Sequence, residues 1–414
     1  MVISQARNVA VSTLLGNIHS LPYSSGKEVK TAPLLVAAAT KFKDTWPRDV
    51  LRDPEVLLTI APEAFYGSLA ATLENQSEDG RLPRRLSNVT PMTRNIDSFR
   101  RRFFGHSPKR EGYFKPEWYT GTWNNFVGRK LFGPRSHPVD TYAIVLIALA
   151  EGSLRDPAFA TLYEPYADKA ISYLDGQLHG GLLRHPPHGG WNDHLHLDAF
   201  LAEQQMDLQH MYSRMADMKD SLGRIEEATD LRSRADILRD TINEVFWDER
   251  RGHYIFAIDP LRETMSVLAN SRAIIYGIAD ADKSARIIDN FKRAHAAHRY
   301  MPLHTPQLPK GDMKLLRRWV MEHYLSGEIC LPWNQAVAAE AASYVDKEFA
   351  AMLLEQIGHP LVEYRSPEIL RYHHGKLVPL EGGLLSGQGY GFSWGAKAFI
   401  KAADTLEQQL RKAA

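Results

Sequence analysis

The tract Gly189-Gly190-Trp191-Asn192-Asp193-His194 places a carboxyl group two residues after an indole, in a loop that also holds His185, His188 and His196. Packing a carboxyl against an indole strips away its water and raises its pKa, which is what a general acid needs near neutral pH. Asp193 is therefore the candidate acid. A competing reading makes Asn192 or Asp193 the N-cap of the helix that follows, and capping does not exclude catalysis. The four histidines of this stretch lack an i, i+4 pair with an accompanying general base, so no metal site is expected. A second carboxylate has to come from elsewhere. The last third of the chain offers Glu363, Glu368 and Glu381, each of which also reads as an ordinary surface charge.

Other segments combine aromatic plates with hydrogen-bonding groups, the mixture that holds a sugar ring by its hydroxyls and its C–H face. Trp46, Arg48 and Asp49 lie together in Trp46-Pro47-Arg48-Asp49, although Pro at a helix start followed by an exposed ion pair explains the same four residues. Trp123 and Asn124 stand in a Gly-containing tract with Trp118 and Asn125, poor helix material and good ligand-contact material. The stretch Ser77–Arg85, with Arg84 at its end, reads first as a Gly turn and a Pro stop. Asp140 opens an apolar helix either as its cap or as a ligand contact. Leu331-Pro332-Trp333, Tyr372-His373-His374-Gly375 and Gly387-Gln388-Gly389-Tyr390-Gly391-Phe392-Ser393-Trp394 complete the set. Such glycine and aromatic loops let backbone approach a ligand while rings shape a pocket. They add Trp333, His374, Gln388, Tyr390 and Trp394 to Trp191 as candidate contacts.

These residues sit between helices or at their starts. In 222–246, Leu222, Ile225, Ala228, Leu231, Ala235, Leu238, Ile242 and Val245 recur at steps of three or four, one long amphipathic helix. Comparable apolar runs cover 52–76, 139–152, 158–177, 197–218, 270–295, 333–357 and 390–410, while strand alternation is scarce. The intervening segments alternate between short and long, and the long ones are rich in Gly, Pro, Trp, His and Asn. This is the pattern of a helical-hairpin array whose loops gather at one end, where functional residues tend to lie. No linker divides the 414 residues, so one domain over 1–414 is expected, with 1–35 as an extension or a first helix.

Composition narrows the partners. A formal charge of +1 with interspersed acids and bases gives no footprint for nucleic acid or an acidic membrane. The single cysteine, Cys330, supplies neither a disulfide framework nor a zinc site and fits a reducing compartment. With no export signal or apolar span evident, a cytoplasmic protein with a small carbohydrate ligand and no cofactor is expected. An oligomer is compatible with all of this.

Taken in order, these segments resemble the six-hairpin glycosidases: trehalases, the processing α-glucosidase I group with its short bacterial relatives, and the glucosidase half of glycogen debranching enzymes. Trp46–Asp49 is similar to their early W-x-R-D segment, Asp79–Pro83 to the loop after it, and Trp191–Asp193 to the segment bearing the acid. Phe246-Trp247-Asp248 with Tyr254 is similar to a recurrent helix end, and Pro332–Asn334 to a later W-P-x-N helix start. Glu363-Tyr364 followed by Gly391–Trp394 resembles the ending that bears the base.

The resemblance spans roughly residues 40–400 and implies an all-α (α/α)6 toroid. It also implies an inverting hydrolysis of a small α-glycoside, with Asp193 as acid and Glu363 as base. Inversion needs about 6.5–9.5 Å between the carboxyl groups to admit a water. Short relatives act on glucosylglycerate and mannosylglycerate, whose anionic aglycone would meet Arg84, Arg85, Arg101 or Arg102; trehalose is an equal expectation. Asn192 between Trp191 and Asp193, and the distance from Glu363 to Trp394, depart from the usual pattern. Two other readings remain open: a sugar epimerase on the same toroid using the 185–196 histidines, and a sugar-binding protein without turnover.

Overall fold

A computed structural model describes residues 1–26, 28–38, 44–87, 113–117, 137–187, 189–190, 197–258, 261–306, 308, 329–380 and 391–413. Helices carry the architecture: α1 (Val2–Gly16), α2 (Pro47–Val50), α3 (Pro54–Ile60), α4 (Pro62–Glu74), α5 (Asp140–Arg155), α6 (Pro157–Asp175), α7 (Ala202–Ser221) and α8 (Ile225–Val245). They continue with α9 (Val267–Ile275), α10 (Ala281–His298), α11 (Pro332–Ser343), α12 (Lys347–Tyr364) and α13 (Ser393–Ala413). Strands are short apart from the antiparallel hairpin β1 (Ile18–Ser25) and β2 (Glu28–Leu35).

The helices form two concentric tiers. The inner tier runs α2/α3, α5, α7, α9, α11, α13, each element packing on the next, and α13 returns to α2 and α3, so the ring closes. The outer tier backs it: α4 on α3, α6 on α5, α8 on α7, α10 on α9, α12 on α11, and α1 on α12 and α13. This is an (α/α)6 toroid.

Burial follows tier. All twelve residues of α11 and most of α5 are buried, whereas α8 buries only Ala228, Leu231, Ala235, Leu238 and Ile242, the single stripe of a surface helix. Five of the six hairpins were visible as apolar runs. Three of those, 52–76, 270–295 and 333–357, are not single helices as expected but whole hairpins. The first breaks at Ala61 before Pro62, the second at left-handed Gly277, and the third at residues 344–346, where Asp346 caps α12 through the Phe349 amide at 2.9 Å. Both arms of each hairpin bury apolar side chains, so the periodicity runs on through the turn. The first 35 residues supply the sixth outer helix, α1, and the β1–β2 hairpin. Among the described residues, no helix is long and apolar enough to cross a membrane.

Candidate active site

The N-terminal ends of the inner helices converge. Arg48 of α2 faces Asp140 at the start of α5 (3.8 Å), Ser266 before α9 donates to Glu203 at the start of α7 (3.4 Å), and Trp333 of α11 stacks on Trp394 of α13 (ring centroids 3.9 Å, planes 16° apart). Pro47, Pro54 and Pro332 occupy first-turn positions, where the absent N–H is no loss. Aromatic and charged side chains are thereby collected at one end of the ring.

Around Trp46 this end is dense in guanidinium groups. Arg84, Arg85 and Arg48 lie 4.5, 5.3 and 5.4 Å from its ring centroid. Carboxylates offset them. Arg85 pairs with Glu117 and with Asp44 (3.3 Å), Arg84 reaches Glu117 at 3.8 Å, and Arg48 lies 3.6 Å from Asp49. The Thr45 and Leu86 backbones exchange hydrogen bonds of 3.1 and 2.8 Å, which fixes the Trp46 segment beside the Arg84–Arg85 strand. Asp140 does not cap α5 through its side chain. It is buried beside Arg48, burial pushes its carboxyl pKa up, and Arg48 and Arg52 pull the other way.

Asp193 lies outside the described residues, but both flanks of its segment are fixed. Arg48 Nη1 donates to the Gly190 carbonyl at 2.7 Å, and the Gly189 carbonyl accepts from the Val139 amide at 2.9 Å. Gly190 packs so closely that a Cβ there would meet His185 Cε1 at 2.7 Å. His185 shares a 2.7 Å hydrogen bond with Gln204, is tied by backbone to Ala199 beyond the segment, and has its pKa lowered by burial to about 4. It is a neutral group packed against Gly190. Trp123, Asn124, Trp191, Glu381, Gln388 and Tyr390, with Arg101 and Arg102, also lie outside the described residues.

The remaining candidates divide. Trp46, Arg48, Asp49, Arg84, Trp333 and Trp394 all stand at the converging helix ends. Glu363 is an exposed side chain in the last turn of α12, an outer helix, and His374 occupies an exposed left-handed turn (φ 47°). Glu368 is half-buried in the link that binds the starts of α11 and α13: the Ser366 carbonyl accepts from Phe392, and Leu370 pairs with Cys330.

Sequence reasoning overlooked Glu203, Gln204, Arg52 and Lys397, all buried. Asn334 was quoted only as part of a motif, yet it is fully buried with Nδ2 on the Pro302 carbonyl at 3.1 Å. In α7 Glu203, Gln204, Gln205, Asp207 and Gln209 are all buried, and their burial is visible only in the folded ring. Among the described residues, the one carboxylate group spaced for a cation is Glu164, Asp168 and Glu227, and the Lys219 ammonium already contacts all three at 2.7–2.8 Å.

No family model matches the chain, and no curated protein matches it in sequence. Solved structures do. A rhamnosidase from Klebsiella oxytoca with rhamnose bound superposes with a TM-score of 0.63 at 15% identity, over 96% of this chain and 63% of that one. This chain thus spans under two thirds of that enzyme. A GH63 mannosylglycerate hydrolase from Thermus thermophilus, in complex with Tris and D-glycerate, gives 0.60 at 14% identity over 95% and 99%. A bacterial glucoamylase complexed with acarbose gives 0.59 at 10% over 90% and 52%. The likeness runs the length of the fold.

Proposed function

We propose that this chain, which has the (α/α)6 fold of the six-hairpin glycosidases, is an inverting glycoside hydrolase for a small α-glycoside. The observation that carries the reading is the joining of aromatic plates, guanidinium groups and carboxylates at the one end of the ring where the inner helices begin. In this mechanism Trp46, Arg48 and Asp49 hold the terminal sugar, while Trp333 and Trp394 form a wall beside it. Asp193, delivered by a loop braced at Gly190, protonates the glycosidic oxygen. A glutamate from 363–381 holds water on the opposite face of the ring.

Of the three glutamates, Glu363 is the hardest to reconcile with a water shielded from solvent, because its side chain is exposed. Glu368 is half-buried in the link that binds the starts of α11 and α13, the helices that carry Trp333 and Trp394. Mannosylglycerate and glucosylglycerate are reasonable substrates, since a mannosylglycerate hydrolase matches over its whole length. Arg84 and Arg85 already share Glu117, and Arg85 also pairs with Asp44, so a carboxylate aglycone would compete with those partners. Trehalose needs no such competition.

The test is hydrolysis of a panel of small α-glycosides by the wild type and by Asp193→Asn, Glu363→Gln, Glu368→Gln and Glu381→Gln. Asp193→Asn and one of the three glutamine variants are expected to lose about a thousandfold in kcat. Full activity in Asp193→Asn, or in all three glutamine variants, would overturn the assignment. Interconversion of a free sugar without cleavage would point to the epimerase reading.

A further inference from the structure

Two cations lie directly beneath the helix ends and take no part in the acid–base pair. Lys397, one turn into α13, is fully buried. Its ammonium donates to the carbonyl of Val50 (2.9 Å) and to that of Arg52, the last turn of α2 and the residues after it. Among the described residues, no carboxylate bonds to it. Trp394 lies three residues earlier in α13, so one helical turn carries both the indole and the ammonium that ties it to α2.

Arg52 makes the reciprocal connection. Its guanidinium lies 4.9 Å from the Trp394 ring centroid, and its other side reaches Asp207 of α7 at 3.8 Å. Asp207 is held in turn by Arg272 Nη1 (2.7 Å) and the Tyr276 hydroxyl (3.2 Å), both of them side chains from the α9 region. The Trp333–Trp394 stack is therefore fastened twice to the segment bearing Trp46, Arg48 and Asp49: by backbone through Lys397 and by side chain through Arg52.

An ammonium buried with backbone carbonyls as its hydrogen-bond acceptors, and with Asp49, Asp53 and Glu55 acting on it only through their charge, is a costly way to join two helices, and an apolar side chain of the same length would pack the ring at less expense. Fixed geometry is what the arrangement provides in return. We propose that Lys397 and Arg52 are positioning residues that set the spacing between the Trp46–Asp49 segment and the Trp333–Trp394 wall, and so control how tightly a sugar is gripped rather than how fast its bond breaks. This rests on the glycosidase reading for its kinetic consequence but not for its structural one.

Two readouts keep them apart. The stacked indoles couple their excited states, so their contribution to circular dichroism is measured as wild type minus Trp394→Phe. Lys397→Met, Arg52→Met and Arg52→Lys are expected to lose most of that contribution. On a hydrolysed substrate their KM rises about tenfold while kcat stays within about threefold, with Arg52→Lys the mildest. Should Lys397→Met fail to fold, the two Arg52 variants decide.

Folded variants that keep both the dichroic contribution and the wild-type KM would overturn the proposal, and so would a loss confined to kcat. If the wild type cleaves none of the panel while the variants lose the dichroic signal, the glycosidase reading falls and the clamp stands.

Discussion

Arg48 is the side chain that joins the Trp46 segment to Gly190, the flank of the segment proposed to carry the acid. It donates to Gly190, faces Asp49 and Asp140, and lies against Trp46. A guanidinium can serve these directions together because its donors form a planar fork, whereas an ammonium acts as a point charge. Arg48→Lys is thus expected to lower kcat/KM by about 10- to 100-fold with little change in melting temperature, measured by steady-state kinetics beside thermal unfolding. Retention of full activity would remove Arg48 from the site.

At this scale the sequence was partly legible. Trp46, Arg48, Asp49, Trp333 and Trp394 stood out because aromatic plates and hydrogen-bonding groups gather there in Pro- and Gly-marked segments that open helices. Arg52, Glu203 and Lys397 did not, because a charge inside a helical run looks like solvent-facing surface. Only ring closure turns that face inward.

At the scale of elements, short polar caps and tight glycine turns hold the hairpins. Asp346 caps α12 and also pairs with Lys292 at 2.6 Å, so Asp346→Ala is expected to cost about 1 kcal/mol of stability, read by denaturant unfolding, with kinetics unchanged. Gly80 sits at φ +88° in the Ser77–Arg81 turn, where a Cβ would lie 2.3 Å from the Lys169 carbonyl oxygen of α6. Gly80→Ala should destabilise by roughly 2 kcal/mol or more, since backbone on both sides must shift. Gly223, at φ +74° with nothing within 4 Å of a Cβ, is the control that carries the strain without the clash.

Residues 77–81 of the Ser77–Arg85 stretch form the expected Gly turn, while Arg84 and Arg85 run on to lie beside Trp46. The helices themselves were legible from periodicity, but three of their breaks were not, because inner and outer arms bury similar residues. Which arm is inner is a long-range property that no local window contains.

At the scale of the whole molecule, burial of ionisable groups couples stability to pH. Burial lowers His185 and His253 to about 4, and His210 and His304 to about 3, each from 6.5. Below 6.5 the unfolded chain takes up these protons first, so this stability is present above 6.5 and lost as pH falls toward the folded values. Glu340 runs the other way. Burial raises it from 4.5 to about 7, so its contribution is present below 4.5 and lost as pH rises through 7. Burial raises the Asp140 carboxyl as well, but the four histidines outweigh these two acids, and the melting temperature is expected to fall steadily between pH 6.5 and 4; a flat profile there would contradict the packing.

Inverting hydrolysis of a small α-glycoside is tested most directly by proton NMR of the first product formed. With mannosylglycerate or glucosylglycerate as substrate, the released sugar should appear first as the β-anomer and only later equilibrate, whereas trehalose should first give α- and β-glucose in equal amounts, because only the attacked ring inverts. An α-anomer formed first from a glycosylglycerate, α-glucose alone from trehalose, or a mixture of substrates left wholly intact, would contradict it.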